Sequence, residues 1–314
     1  MNRRELVKAA IQHRAAKRPP YFMDLCQEAC EAYQAQIGAQ DWGAFLDNDV
    51  TDISVPWWDW HNLGPDWVGM DIPKSRPTGI GAGNYKDTID GIKAAKDAQV
   101  EKYLLVRIYG SHFEKAYFSR GFENFLADMG GEPEFAGNLL GLIIEKNMVM
   151  LENILNLPEI DGVLLGSDWG AQRGLLMSPA IWQDMIRPGE QKEYDLIHAY
   201  GKDVWVHSCG NIETIVPSLV ALGLDVLNPV QPEAMDIAEL KRKHGAKLTF
   251  WGGISTQQTL PFGTPDDVRS EARRVRDMMS VNGGYIFAPA QGIQADVPLA
   301  NLKALLEVAR EIPG

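Results

Sequence analysis

The stretch "DVWVHSCGN", from Asp203 to Asn211, ends an apolar, β-branched run on a histidine and a cysteine one residue apart. On an extended chain, His-x-Cys puts both side chains on the same side, as ligands of a shared metal require. An ordinary cysteine, of pKa about 8.5, is a thiol at pH 7, and ionising it there costs roughly 2 kcal/mol, which a divalent cation supplies by coordination. A structural zinc wants four ligands and a catalytic zinc three with an open position. His207 and Cys209 alone therefore leave a second reading open, a hydrogen-bonded strand-end histidine beside a buried thiol.

The elements that must position this pair are legible as apolar runs ended by Gly, Asp, Asn or Pro and followed by helix-length amphipathic sequence. Eight candidate strands appear: 21–25, 51–55, 103–109, 162–167, 203–208, 224–229, 248–253 and 285–290, the second being the weakest. Helix starts are marked by Ser178 then Pro179, and by Thr264 then Pro265. Alternation of strand and helix implies parallel pairing, and eight such units in 314 residues predict a closed (β/α)8 TIM barrel, with 1–314 a single domain. Two segments exceed the bare repeat. Residues 112–131 predict a helical excursion, and 56–83, with four of the nine tryptophans (Trp57, Trp58, Trp60, Trp67), predict an aromatic-rich insertion serving as a lid or a dimer interface.

Functional groups of a parallel barrel sit where strands end. Those places hold Asp24, Arg107 and His112, then Asp168 with Gln172 and Arg173, then His207 and Cys209. Asn228 and Gln231, Ser255 and Gln257, and Gln291 and Gln294 follow the last three strands. Asp168, Gln172, Arg173, Asn228, Gln231 and Gln294 read as hydrogen-bonding equipment for a small polar substrate, or as an Asp168–Arg173 loop pair among solvated amides. Asp24 reads as a general base or as the cap of the next helix.

Composition narrows the classes. Thirty Lys+Arg against 42 Asp+Glu give a formal charge of −12, which repels phosphate backbones and excludes a nucleic-acid partner. No apolar run reaches the roughly 18 residues of a spanning helix, and the start, "MNRRELVKAAIQHRAAKRPP", predicts a charged N-terminal helix and a cytoplasmic protein without a membrane partner. The three cysteines are too few for a disulfide framework, and Cys26 and Cys30, at i and i+4, read as buried free thiols.

The runs "VWVHSCGNIETIVPSLVALGLDVLNPVQP", "LTFWGGISTQQTLPFGTPDDV" and "GGYIFAPAQGIQADVPLANLKALLEV" resemble the uroporphyrinogen decarboxylase superfamily, and within it the cobamide-dependent methyltransferase branch. The opening segment and "GVLLGSDWGAQRGLLMSPAIWQDMIRP" fit the same order, so the resemblance covers nearly the whole chain and is tightest from about residue 162 onward. It implies a barrel with its cleft at the strand C-termini and, in methyltransferase members, a zinc held by residues matching His207 and Cys209 and by a cysteine in the loop after the last strand. That zinc presents an acceptor thiolate to a methylated corrinoid. Here the loop is "APAQGIQADVP" and the ligand position falls on Gln291, a poor zinc ligand. Cys26 or Asp168 stands as the substitute, Asp168 being geometrically cheaper. The arginine-rich segment around "MRQAGRY" of true uroporphyrinogen decarboxylases has no counterpart in "AKRPPYFMDLCQEACEAY". The chain also lacks the Asp-x-His-x-x-Gly signature of a cobalamin-binding module, so a corrinoid is expected on a separate partner protein, and family habit implies a homodimer. The expected function is corrinoid-dependent methyl transfer between a corrinoid and a small polar molecule, in either direction, with Asp168 or Asp24 doing proton work where zinc is absent. The alternatives are a non-catalytic small-molecule-binding barrel and a lyase or decarboxylase of another small substrate.

Overall fold

Apolar runs with helix-length spacers form one curled parallel sheet in the computed structural model, which describes residues 1–55, 85–108 and 110–312. Its seven strands lie in chain order: β1 (Val50–Ser54), β2 (Tyr103–Ile108), β3 (Gly162–Gly166), β6 (Asp203–His207), β7 (Val226–Val230), β8 (Thr249–Ile254) and β9 (Tyr285–Pro289). Every pairing in it is parallel, and a two-residue hairpin, β4 (Gly170–Ala171) with β5 (Gly174–Leu175), is inserted after β3. The architecture is α/β and consistent with a TIM-like barrel. The aromatic-rich insertion expected at 56–83 lies outside the described residues. Among the described residues no helix is long and apolar enough to cross a membrane.

Segment 21–25, the first expected strand, is extended but does not form a regular ladder. It makes isolated bridges, Tyr21 to Phe287 and Leu25 to Ile293. On the β9 side Phe22 N–H donates to the Phe287 carbonyl at 3.0 Å and Phe287 N–H to Pro20 at 2.8 Å. On the β1 side, side chains supplement a backbone bond from Asp49 N–H to the Tyr21 carbonyl at 3.1 Å: Tyr21 N–H goes to the Asp49 carboxylate at 2.9 Å, and Asn48 both accepts from Met23 N–H and donates to Met23 O at 2.8 Å. The segment thus touches both edges of the sheet, joined on the β1 side by the side chains of Asn48 and Asp49 as well as by backbone.

Strand pleating sorts the core into two layers. Leu104, Val106, Val163, Leu165, Val204, Val206, Leu227 and Phe250 face the helices. The alternate residues, Tyr103, Leu105, Leu164, Trp205, Val226, Trp251 and Ile286, cluster on the inner face with Phe22. There the rings meet edge to face: Phe22–Trp251 centroids are 5.3 Å apart and Trp205–Trp251 5.2 Å. Trp205 Nε1 donates to the Tyr103 hydroxyl at 3.0 Å, and that hydroxyl donates to Asp203 at 2.6 Å.

The helix Arg3–Ile11, opened by an Asn2–Glu5 capping box, closes the end of the sheet below this plug. Its Lys8 pairs with Asp203 at 2.7 Å and its Arg4 with Asp161 at 2.5 Å. Asp161 and Asp225 each accept a neighbouring strand's N–H, from Leu104 at 2.9 Å and Val204 at 2.7 Å, so the acids at the strand starts fix register as well as charge. The helical starts at Ser178 and Thr264 are caps as expected, the first leading through a π-helical turn (Trp182–Ile186) into the helix Arg187–Ala199.

Gly162 sits where the plug leaves no room: a Cβ there would run into the Tyr103 hydroxyl and stand 2.9 Å from Trp205 Nε1. Gly162→Ala should cost about 1–3 kcal/mol, the range for overpacking, seen as a lower urea midpoint at unchanged m-value. A midpoint within error of the parent would show that the ring cluster is looser than this packing.

Candidate functional site

The same two-residue period that builds the plug places a polar layer above it. Asp52 on β1, Arg107 on β2, His207 on β6 and Asn228 on β7 share the parity of the inner-face residues. Arg107, His207 and Asn228 line a cavity of about 90 Å³ together with Asp24, Gln291 and Gly292, floored by Phe22, Leu164 and Trp251. Arg107 is ion-paired to Asp52 at 2.5 Å and stands 4.0 Å from Asp24. Burial raises the Asp52 carboxyl, against the pull of Arg107.

The tautomer of His207 follows from its neighbours. Asn228 donates its amide N–H to the Trp251 carbonyl at 3.3 Å, so its Oδ1 faces His207 Nδ1, at 2.6 Å, as an acceptor. Nδ1 therefore carries the proton and Nε2 the lone pair. Burial lowers the imidazole's pKa despite Asp168, which keeps it neutral. Nε2 lies 3.3 Å from Cys209 Sγ and 3.7 Å from Asp168 Oδ1. Ligands at about 2.0–2.3 Å from a tetrahedral zinc stand about 3.3–3.8 Å apart, so nitrogen, sulfur and oxygen are spaced and typed for such an ion. The thiol does not ionise unaided: burial, and then Asp168, push Cys209 up to about 12, against the opposing hydrogen bond from Gln291. A cation in reach of Sγ reverses that balance.

Cys209 is held from behind. Its N–H donates to Asp168 Oδ1 at 2.7 Å, the next N–H, of Gly210, donates to Gln231 Oε1 at 2.6 Å, and Asn211 N–H to the Ala171 carbonyl at 2.8 Å. Gly210, at φ +79°, packs so tightly on the β4–β5 hairpin that a Cβ would stand 2.6 Å from the Ala171 oxygen. Gln291 reaches across from the loop after β9 and donates to Cys209 Sγ at 2.6 Å.

Asp24, Asp168, His207, Cys209, Asn228 and Gln291 are thus brought to one end of the sheet. Four expected residues are placed differently. Gln231 is buried and holds the Gly210 backbone. Gln172 is exposed and bonded to the Glu233 carbonyl at 2.8 Å, and Gln294 is exposed and folds back onto the Gly292 carbonyl at 2.9 Å. Arg173, at the hairpin tip, lines a separate surface groove with Asn211 and Glu213 rather than the cavity.

Three further expectations need correction. His112 does not open onto the cleft: the chain turns at Gly110, φ +69°, and carries it, fully buried, into the helical layer. Cys26 is not a ligand candidate, since its Sγ caps a helix by accepting from Ala29 N–H at 3.3 Å. Both Cys26 and Cys30 are half-buried rather than buried.

Two residues escaped the sequence reading. Asp52 lies in the weakest strand, where polar alternation hid an inward carboxylate. Glu114, 4% exposed, looks like one more helix charge beside Lys115, yet burial raises it to about 7, with Tyr117 O–H at 2.8 Å opposing and the Asp168 charge adding to the rise.

Residues 83–312 match the profile of the family described as uroporphyrinogen decarboxylase (URO-D). A methylcobamide:CoM methyltransferase, MtaA, of Methanosarcina barkeri is 29% identical over 137 residues, which is 43% of this chain and 38% of that protein. A uroporphyrinogen decarboxylase of Neisseria meningitidis is 24% identical over 248 residues, 72% of this chain and 63% of its own length. The alignments thus span less than two thirds of these relatives. A solved structure, a methyltransferase from Methanosarcina mazei, superposes with a TM-score of 0.73 at 17% identity, covering 98% of both chains, a likeness of fold.

Because Gln291 already touches Cys209, a cysteine there would add a thiolate where the amide now donates. Gln291→Cys should raise zinc affinity tenfold or more, about 1.4 kcal/mol, in competition with a chromophoric chelator. Cys209→Ser should abolish binding at this site in both backgrounds. Absence of metal here from both the parent and Gln291→Cys would leave His207 and Cys209 as hydrogen-bonding surface.

Proposed function

The chain belongs to the uroporphyrinogen decarboxylase family, and from that membership we propose a methyltransferase that moves a methyl group from a corrinoid on a separate protein to a small polar acceptor thiol. This reading takes 1–314 as one (β/α)8 barrel, with segment 21–25 as its eighth strand. The observation that carries it is the meeting of Asp168 Oδ1, His207 Nε2 and Cys209 Sγ at the C-terminal end of the sheet, with the imidazole lone pair turned toward the other two.

Asp168, His207 and Cys209 would hold a zinc, whose charge would supply the lowering of an acceptor thiol's pKa that makes it a thiolate at neutral pH. The chain's own residues prepare that chemistry. Asn228 fixes the tautomer of His207, and Gln291 donates a hydrogen bond to Cys209. Glu114, buried beside Asp168 and hydrogen-bonded by Tyr117, adds a second carboxyl behind the donor set. Arg107, with Asp24 and Asp52, supplies the polar wall opposite, where the acceptor's polar tail would lie. A methylated corrinoid would supply the methyl group and keep both electrons of its carbon–cobalt bond, so that the acceptor's thiolate pair would form the carbon–sulfur bond.

The similarity to proteins named uroporphyrinogen decarboxylase keeps a decarboxylase as the second reading. Against it, Arg107 is already engaged by Asp52, and the cavity offers little volume and few cations for a tetrapyrrole with eight carboxylates.

Zinc-loaded protein mixed with methylcobalamin and a panel of small thiols should bleach the methylcobalamin spectrum faster than thiol alone. Cys209→Ala should remove about a hundredfold or more of that rate. No acceleration by zinc-replete protein, with either methylcobalamin or a methylated corrinoid protein as donor, refutes the proposal. Turnover of uroporphyrinogen in its place would establish the decarboxylase reading, and small-molecule binding without turnover a non-catalytic one.

A further inference from the structure

A second group of metal-type donors lies away from the cleft, in the helical layer. His112 opens the helix Phe113–Arg120, while Glu190 and Glu193, at i and i+3, share one face of the helix Arg187–Ala199. All three are 0% exposed. His112 Nδ1 lies 3.4 Å from Glu190 Oε1 and 3.6 Å from Glu193 Oε2. These separations are too long for good hydrogen bonds but match the spacing of about 3.3–3.6 Å between nitrogen and oxygen ligands of one tetrahedral ion bound at about 2.0–2.2 Å.

The surrounding groups orient these donors as outer-shell partners orient metal ligands. His112 Nε2 faces the Ile186 carbonyl at 3.1 Å and donates to it, so Nδ1 is the nitrogen that faces the two carboxylates, where it either carries a second proton between them or offers a lone pair to an ion. The Ser111 hydroxyl, 3.4 Å from Nδ1, spends its proton on Glu193 Oε2 at 2.9 Å and leaves Nδ1 without a donor. Asn147 donates to Glu193 Oε1 at 2.7 Å, and stands between that carboxylate and Lys115, whose Nζ reaches Asn147 Oδ1 at 3.4 Å.

Glu190 is the independent sign of a missing partner. Both of its carboxylate oxygens are buried and meet only the long His112 contact and the neighbouring Tyr194 hydroxyl, with no well-formed hydrogen bond to either. Such a group in a dry interior costs several kcal/mol unless something neutralises it. The backbone is shaped to bring the donors together. The π-helical turn Trp182–Ile186 immediately precedes this helix and ends on the carbonyl that orients His112. Gly189 lets the imbalance of space close, since a Cβ there would stand 2.8 Å from His112 Nε2.

We propose that His112 Nδ1, Glu193 Oε2 and both oxygens of Glu190 form a closed structural site for one divalent ion of the zinc class. Two carboxylates and a neutral imidazole balance the ion's charge, and the closed nitrogen–oxygen set leaves no position for substrate. The ion ties the helix after β2 to the helix before β6, and the first of these carries Glu114. The proposal stands apart from the methyltransferase reading, because none of its ligands lines the cleft.

The test uses full-length protein with the cleft ligands removed, His207→Ala/Cys209→Ser, folded in the presence of zinc. It should retain about one equivalent of zinc, with X-ray absorption showing nitrogen and oxygen neighbours and no sulfur. Cobalt substituted into the same protein should give ligand-field bands without a thiolate charge-transfer band. Adding Glu190→Gln should cut the retained metal at least about fivefold and lower the Tm. Less than about a tenth of an equivalent in the doubly substituted protein, by zinc and cobalt alike, overturns the proposal and leaves a proton shared within the trio. Unchanged metal content after both Glu190→Gln and His112→Ala overturns it equally. Loss of methyl transfer in the cleft variant bears only on the cleft.

Discussion

Each strand of this sheet turns alternate residues to opposite faces, and both faces are buried. A one-residue slip in any strand would exchange helix-facing aliphatics for the ring cluster of Phe22, Tyr103, Trp205 and Trp251. That constraint also locates the cleft. Above the rings the inward positions are Asp52, Arg107, His207 and Asn228, so the parity that packs the plug delivers the polar layer. Beneath it, acids at the strand starts take neighbouring N–H groups and are matched by Arg4, Lys8 and Arg18. A buried acid left without its cation would carry the full desolvation cost, which is why the N-terminal helix belongs to the fold and is not an appendage.

Burial governs the chemistry in both histidine clusters by the same logic. An imidazole has two nitrogens, and fixing the proton on one fixes the lone pair on the other. Asn228 does this for His207 and the Ile186 carbonyl does it for His112. In each case the free nitrogen meets anionic donors in a poorly solvated place, where cysteine and glutamate titrate far from their ordinary values. Neither set is at rest electrostatically without a cation or a proton among its donors.

The resemblance to corrinoid methyltransferases implies a metal role for His207 and Cys209, and the geometry adds how this chain departs from that pattern. The loop after β9 carries an amide where a thiolate is expected, and the carboxylate of Asp168, on the neighbouring strand's end, stands within 3.7 Å of His207 Nε2. Exchanging sulfur for oxygen hardens the donor set, so a zinc site built this way is weaker than a two-thiolate one.

From the sequence alone, strand positions were legible for seven of the parallel strands, because runs such as "VWVHS" and "YIFAP" combine apolar content with sharp polar ends. The caps at Ser178 and Thr264 were equally plain, being local chemistry. His207, Cys209, Asn228 and Asp168 were named because strand ends are predictable places. What stayed hidden depended on distant partners. Segment 21–25 reads as a strand, but only the fold shows Asn48 and Asp49 side chains completing its bonds on the β1 side. Arg173 looks like a cleft residue by position, yet hairpin geometry turns it outward, while the turn at Gly110 takes His112 away to meet residues about eighty positions later. Local pattern fixes which residues a strand offers to each face, since pleat and periodicity act over a few residues. Which donors meet is decided by long-range packing, since a turn of one residue redirects a side chain by a whole layer.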